Sequence, residues 1–181
     1  MKRHPSLRPF SDDHHQGLVN ARRLKRAASG EEPNATKAAH DFLEFWRRDT
    51  SLHFRKEEEV LLPVLARYGG DLEKRPVLQM LTQHARIRGL AMQLSDELER
   101  DGVRQDSLRN LGEHLEAHIR LEERLVFPLV EEILPEHALQ EVASRLAVFE
   151  PGPPHERWVP SEGFSFDPWP GPGDSEGGGS D

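Results

Sequence analysis

Two segments of the chain read almost alike: HFRKEEEVLLP from His53 to Pro63 and HIRLEERLVFP from His118 to Pro128. An offset of 65 residues superimposes a His, an Arg, two Glu and the closing Pro. In each segment a His and a Glu stand four apart, His53 with Glu57 and His118 with Glu122, which puts both side chains on one helical face about one turn apart. One helix can thus supply two donors to a single point. The rest of that face is apolar, with Phe42, Trp46, Leu61 and Val64 around the first pair and Leu108, Leu111, Leu125 and Leu129 around the second. The polar pairs are therefore expected to point into a core. A lone carboxylate there costs on the order of several kcal/mol unless a cation accompanies it. A neutral imidazole does not supply that charge; a metal ion does, and two pairs could serve two ions.

Apolar residues recur at three- and four-residue steps over long windows, and alternating β-branched runs are missing, so the chain reads as all-α. A first helix is expected from Ser11 as N-cap, with Phe10 ahead of it, to the region of Ser29 and Gly30. A second opens at Pro33 and runs to Leu62, where Pro63 breaks or kinks it. Tyr68, Gly69 and Gly70 mark the next turn. A third helix runs from Pro76 through Leu98, with Ile87, Ala91, Leu94 and Leu98 as its stripe, before a turn at Asp101 and Gly102. A fourth spans residues 107–127, where Pro128 interrupts it. A shorter fifth, over residues 135–149, carries Leu139, Val142, Leu146 and Phe149 on one face and is expected to cap the bundle. The expected architecture is an up-down-up-down four-helix bundle, a domain over residues 1–149. From residue 150 the composition turns to Pro, Gly, Ser and acid, ending GPGDSEGGGSD, which cannot bury enough surface to offset the entropy of ordering. Residues 150–181 are therefore expected to be a disordered tail. Its Trp158, Phe164, Phe166 and Trp169 could dock on the bundle or on a protein partner.

Ten histidines is a high count for 181 residues. In the third helix His84 shares its face with Ile87, Ala91, Leu94 and Leu98 and so sits on the core stripe. The first helix offers His14 and His15. Counting the same offsets from His14 gives Gly17, Ala21, Leu24 and Ala28, whereas from His15 it gives Leu18, Arg22 and Lys25, so phase favours His14. A bundle shifted by part of a turn would exchange the two. His114, four before His118, could reach the same cavity as a further ligand or hydrogen-bond a ligand. His40 lies about 220° of helical rotation from the His53 face. With His4, His137 and His155 it is expected to be solvated. Glu58, Glu59 and Glu123 are expected on exposed faces with Arg55 and Arg120 as ion-pair partners, and Arg22, Arg23, Lys25 and Arg26 on a solvated face. Phe54 and Ile119, beside the two repeat histidines, are expected to pack between helices and limit solvent access.

Composition narrows the chemistry. With no cysteine, disulfides, iron–sulfur clusters and thiolate zinc sites are excluded, so any metal takes nitrogen and oxygen ligands. The 32 acidic against 24 basic residues give a net charge of −8, which argues against a broad nucleic-acid face. No signal-peptide run and no stretch near the roughly 20 apolar residues of a membrane span are visible, so a cytoplasmic protein is expected.

The arrangement His, His-x-x-x-Glu, His, His-x-x-x-Glu over residues 10–130, with a Pro closing each His-Glu segment, resembles the hemerythrin-like family of HHE cation-binding domains. The resemblance implies non-haem iron, two ions per chain, and the handling of dioxygen, nitric oxide or iron. It makes His14, His53, His84 and His118 terminal metal ligands and Glu57 and Glu122 bridges. Manganese suits the same donors in a six-coordinate pair, and zinc would bind them in four-coordinate form. There are departures: the positions four from His84 are Met80 and Arg88, where oxygen carriers have another imidazole, and Glu122 stands where carriers use an Asp at longer spacing. These weaken reversible oxygen carriage. The expected function is therefore binding or sensing of a small ligand at a di-iron centre. One alternative is an oxidoreductase acting on peroxide or dioxygen, for which no catalytic acid, base or nucleophile stands out. The other is a scaffold that the metal only stabilises.

Overall fold

The computed structural model describes residues 3–31, 34–100 and 102–149. Among these there are five helices and no strand. A short 3-10 turn, Pro5–Leu7, leads into α1, Arg8–Ser29. The helical start thus lies a turn ahead of Ser11, because the His4 ring accepts a hydrogen bond from the Ser6 N–H at 3.2 Å and the prolines fix φ where no donor is needed. Gly30, with φ 82°, ends α1 in the left-handed conformation that glycine favours. Helix α2 spans residues 35–67. The Asn34 side chain caps it by accepting from the Lys37 N–H at 2.8 Å. Pro33 lies outside the described residues.

Pro63 does not end α2, and the reason is local. Residues Glu57–Leu61 form a π turn in which the Leu62 N–H reaches back to the Glu57 carbonyl, and α-helix resumes over Leu62–Arg67 with Pro63 in its first turn. A missing donor is tolerated there. The same device recurs in α4, residues 105–133. Gln105–Leu121 is α-helix, Glu122–Val126 is a π turn closed by the Phe127 N–H on the Glu122 carbonyl, and Phe127–Ile133 carries Pro128 in its first turn. A third π turn, Trp46–Thr50, lies within α2. Between these rods runs α3, Arg75–Glu99, and α5 is Glu136–Ala147. Each π turn adds one residue and advances the helical phase by about 100°. Leu125, expected inside, is consequently 51% exposed and Leu129 only partly buried, whereas Val126, Phe127 and Val130 fill the core.

Cross-helix contacts define the direction of each rod. Lys25 pairs with Glu116 and His14 with Glu123, so α1 and α4 are antiparallel. Arg23 pairs with Asp41 and Lys56 with Asp13, so α1 and α2 are antiparallel too. Gln93 bonds Ser107 and Gln83 meets His118, which opposes α3 to α4. The bundle is up-down-up-down. Close approach of α1 and α4 depends on Gly112, where a Cβ would sit 2.8 Å from the Ala21 carbonyl oxygen.

Two apolar clusters fill the interior. One holds Leu24, Phe42, Leu94 and Leu108; the other holds Phe10, Leu65, Met80 and Phe127 and is closed by Ala138, Leu139 and Val142 of α5. On each of the four long helices the residues between them are polar and buried: His14, His53 with Glu57, His84, and His118 with Glu122. No helix among the described residues is long and apolar enough to cross a membrane. The tail from residue 150, with its four large aromatics and His155, lies outside the described residues.

Candidate metal centre

The polar layer brings four imidazoles and two carboxylates to one place. His14, His53, Glu57 and Glu122 have donor atoms within 4.8 Å of one another, and so do Glu57, His84, His118 and Glu122. Both carboxylates belong to both groups. Glu57 turns Oε1 toward His53 Nε2 at 3.4 Å and Oε2 toward His84 Nε2 at 3.2 Å. Glu122 turns Oε2 toward His14 Nε2 at 3.0 Å and Oε1 toward His118 Nε2 at 2.9 Å, with His84 Nε2 at 3.6 Å from the same oxygen. Each carboxylate thus divides its oxygens between one histidine pair and the other.

Every ring is held from behind through Nδ1. His14 Nδ1–H donates to Glu123 at 2.7 Å and His84 Nδ1–H to Glu58 at 2.7 Å. His53 Nδ1–H donates to Asp13 at 3.2 Å, and His118 Nδ1 faces the Gln83 carbonyl oxygen at 3.3 Å. Carboxylates only accept, so these bonds place a proton on Nδ1 and leave the Nε2 lone pair for the interior. This is the usual support for a metal-bound imidazole, fixing tautomer and orientation together. The carboxylates are anchored in turn. Glu58 takes two bonds from Arg88, and Glu123 one from Arg3 at 2.8 Å.

The inner atoms lack what protein alone could give them. Glu57 and Glu122 are 0% exposed, yet none of their four side-chain oxygens completes a hydrogen bond, and neither do His84 Nε2 and His118 Nε2. His14 Nε2 and His53 Nε2 approach to 3.1 Å with both Nδ1 atoms already donating, so only a cation or a shared proton separates two lone pairs. The donor set fits a metal. Without one, the carboxylates draw protons onto the rings. Burial opposes charge on His53, but Glu57 and Asp13 outweigh it and raise its pKa to about 10. For His84 burial is likewise outweighed, by Glu122, Glu57 and Glu58, again to about 10. His14 is raised against burial by Glu122 and Glu123. Burial and each other's charge push Glu57 up, and the imidazoles nonetheless hold it below its usual value; Glu122 is held well below. The layer demands positive charge.

Other sequence expectations fall differently. His15 is exposed, and so are His40 and His137, the latter edge-on to the Tyr68 ring. His4 is half-buried, between the Ser6 N–H and Glu136. His114 is half-buried and bonds the Asn110 carbonyl at 2.7 Å, one turn away from the layer, so it neither joins the donor groups nor bonds a ring. Arg55 does pair with Glu59, but Arg120 pairs with Glu116. Glu58 and Glu123 are not spare surface charge: each reaches across to the histidine of a neighbouring helix, and the pKa of each falls to about 2, as the ring and an arginine outweigh burial. The repeated Glu-Glu pair after each His was the signal for this, since only one carboxylate of two successive residues can point inward. Arg23, Lys25 and Arg26 each pair with a carboxylate. At the third-helix departures, Met80 packs in the apolar cluster and Arg88 on Glu58. Phe54 stacks on the His84 ring with centroids 3.8 Å apart and meets His118 edge-on.

Comparison with known families adds a direct match. The model for the hemerythrin HHE cation binding domain matches residues 9–130, with an overlapping match over residues 75–147. No curated protein and no solved structure gave a significant match.

Proposed function

The chain belongs to the hemerythrin HHE cation-binding family, and from that membership we propose a non-haem iron protein that holds two ions and binds a small ligand such as dioxygen or nitric oxide. One observation carries this reading. Two fully buried carboxylates each split their oxygens between two histidine pairs, with no hydrogen bond to satisfy them. A single ion would leave one oxygen of each carboxylate orphaned in the core, at a cost of about 1–3 kcal/mol or more per group. Two ions would satisfy all four. His14 and His53 would serve one, His84 and His118 the other, and Glu57 and Glu122 both.

Bound iron would supply redox activity and a coordination position for the small ligand. The chain's own part is to orient and to exclude. Asp13, Glu58, Gln83 and Glu123 hold the ring N–H groups outward so that Nε2 faces inward. Phe54 and the two apolar clusters keep bulk water from the layer.

Elemental analysis of untagged protein from iron-replete cells tests the reading, run beside E57A, E122A and H137A. The expected result is about two irons per chain in the wild type and in H137A, with loss in both glutamate variants. Equal metal in all four would sink the assignment.

A further inference from the structure

Two histidines of the layer are gripped in the same way, by arginines that come from different places. His84 donates to Glu58, and Phe54 stacks on its ring. Arg88 holds both, bonding the two Glu58 oxygens at 2.9 Å each and lying 5.5 Å from the Phe54 ring centre. His14 donates to Glu123, and Phe127 stacks on its ring with the planes 7° apart. There Arg3 holds both, bonding Glu123 Oε2 at 2.8 Å and lying 5.1 Å from the Phe127 ring centre. In each case one guanidinium fixes the carboxylate behind the imidazole and the aromatic ring against it.

The origins of the two arginines differ. Arg88 follows His84 by four residues on α3, so the rod that carries the ring also carries its grip. Four residues after His14 on α1 stands Leu18, which has no group to offer a carboxylate. Arg3 reaches in from the segment ahead of the 3-10 turn, and it is seated there on several sides. Its side chain is 16% exposed, it also bonds the Glu123 carbonyl oxygen at 3.0 Å, and it pairs with Glu131 at 3.1 Å. The His4 N–H bonds the other Glu131 oxygen at 2.7 Å. An isolated surface ion pair leaves a side chain free to turn, whereas a guanidinium engaged at both ends over a ring has one orientation.

We propose that Arg3 is the positioning residue for His14: from outside the four long helices it sets the direction of the Glu123 carboxylate, and through it the ring that faces the layer. The consequence rests on the metal-binding reading above and adds that iron affinity depends on a residue outside the rods. The positioning itself can be read without metal. A lysine could reach Glu123 from the same place but could not span Glu123 and Glu131 together.

The test is a double-mutant cycle on the full chain, R3A, E123A and the pair, with R3K beside them. In competition with a chromophoric chelator R3A should lower iron affinity about 10-fold, R3K by less, and R3A should add nothing once Glu123 is gone. In the metal-free protein the nuclear Overhauser contact between the His14 and Phe127 rings should weaken in R3A and E123A alike, while that between His84 and Phe54 persists. Wild-type affinity in R3A, or the same loss from R3A with and without Glu123, would overturn the proposal and leave the metal site standing. An undiminished His14–Phe127 contact in R3A would overturn it too. Wild type that takes up no iron would instead overturn the metal reading, and the ring contacts would then decide the role of Arg3 alone. If R3A does not fold, R3K completes the same cycle against E123A with the same outcomes.

Discussion

The two halves of the bundle, α1 with α2 and α3 with α4, carry the same donors in the same places, yet the side chains packed beside those donors differ. His14 corresponds to His84, His53 to His118, Glu57 to Glu122, and the supports interchange as well: Glu58 holds the other half's His84, and Glu123 holds His14. The differences lie beside the donors. Three residues after His14 stands Gly17, and three after His84 stands Ile87, which is fully buried. Thr50 matches Leu115 across the 65-residue offset, and the π turn Trp46–Thr50 matches a stretch that stays α-helical. One half is filled with apolar side chains and the other has a missing side chain, a hydroxyl and a wider turn at the same height. A symmetric donor set thus sits in asymmetric walls.

The supports differ too. His53 donates to a carboxylate, Asp13, but His118 faces an amide, Gln83. A carboxylate behind the ring makes the imidazole a stronger donor, so the two histidine pairs are electronically unequal.

The largest expected effect tests whether the halves act as one layer. In metal-free protein His53 and His84, one from each half, have folded pKa values raised from 6.5 to about 10. Groups raised in this way stabilise fully below their unfolded pKa of 6.5 and lose that contribution as pH rises through about 10. On the acid side Glu58 and Glu123, lowered from 4.5 to about 2, stabilise fully above 4.5 and cease to do so as pH falls through about 2. Urea unfolding of metal-free protein should therefore weaken steeply between pH 6.5 and 10 in a single transition, and iron should abolish the alkaline loss. Two separate alkaline transitions would divide the halves. Next in size, E58A and E123A should each lower iron affinity about 10- to 100-fold in competition with a chromophoric chelator, and by similar amounts if the exchange of supports is real. D13N should weaken one position about tenfold and Q83E should strengthen the other, so that the double variant reverses the inequality seen in stepwise iron titration. The smallest effect belongs to G17A. Its Cβ would lie 2.7 Å from Ile119 Cδ1, the end of a movable side chain, so thermal unfolding should register a loss of about 1 kcal/mol as that side chain shifts.

Residue spacing sufficed for the donors because the His-to-Glu step of four falls on ordinary α-helix in both rods, His53 to Glu57 and His118 to Glu122. Beyond them it held in α2, where Leu61 and Val64 are buried, and failed in α4. The π turns begin at Glu57 and Glu122, so periodicity extended past those residues chose Leu125 in place of Val126 and Val130. Nothing in local propensity announces such a turn; the Pro six residues after the glutamate hinted at a break, and the helix met it with a wider loop of hydrogen bonds. Asp13 and Gln83 were invisible for another reason, since each serves a ring on a different helix, and only the assembled bundle shows the contact.

A π turn also keeps a record of descent. It is one residue more than an α-helical turn, the difference that a single added codon makes. The π turns at Glu57–Leu61 and Glu122–Val126 stand at matched places in the two repeats, and Trp46–Thr50 stands in one repeat alone. If one ancestral segment was copied to make this chain, the codon beside the glutamate was already present before the copying, and the codon beside Thr50 was gained or lost in one copy afterwards.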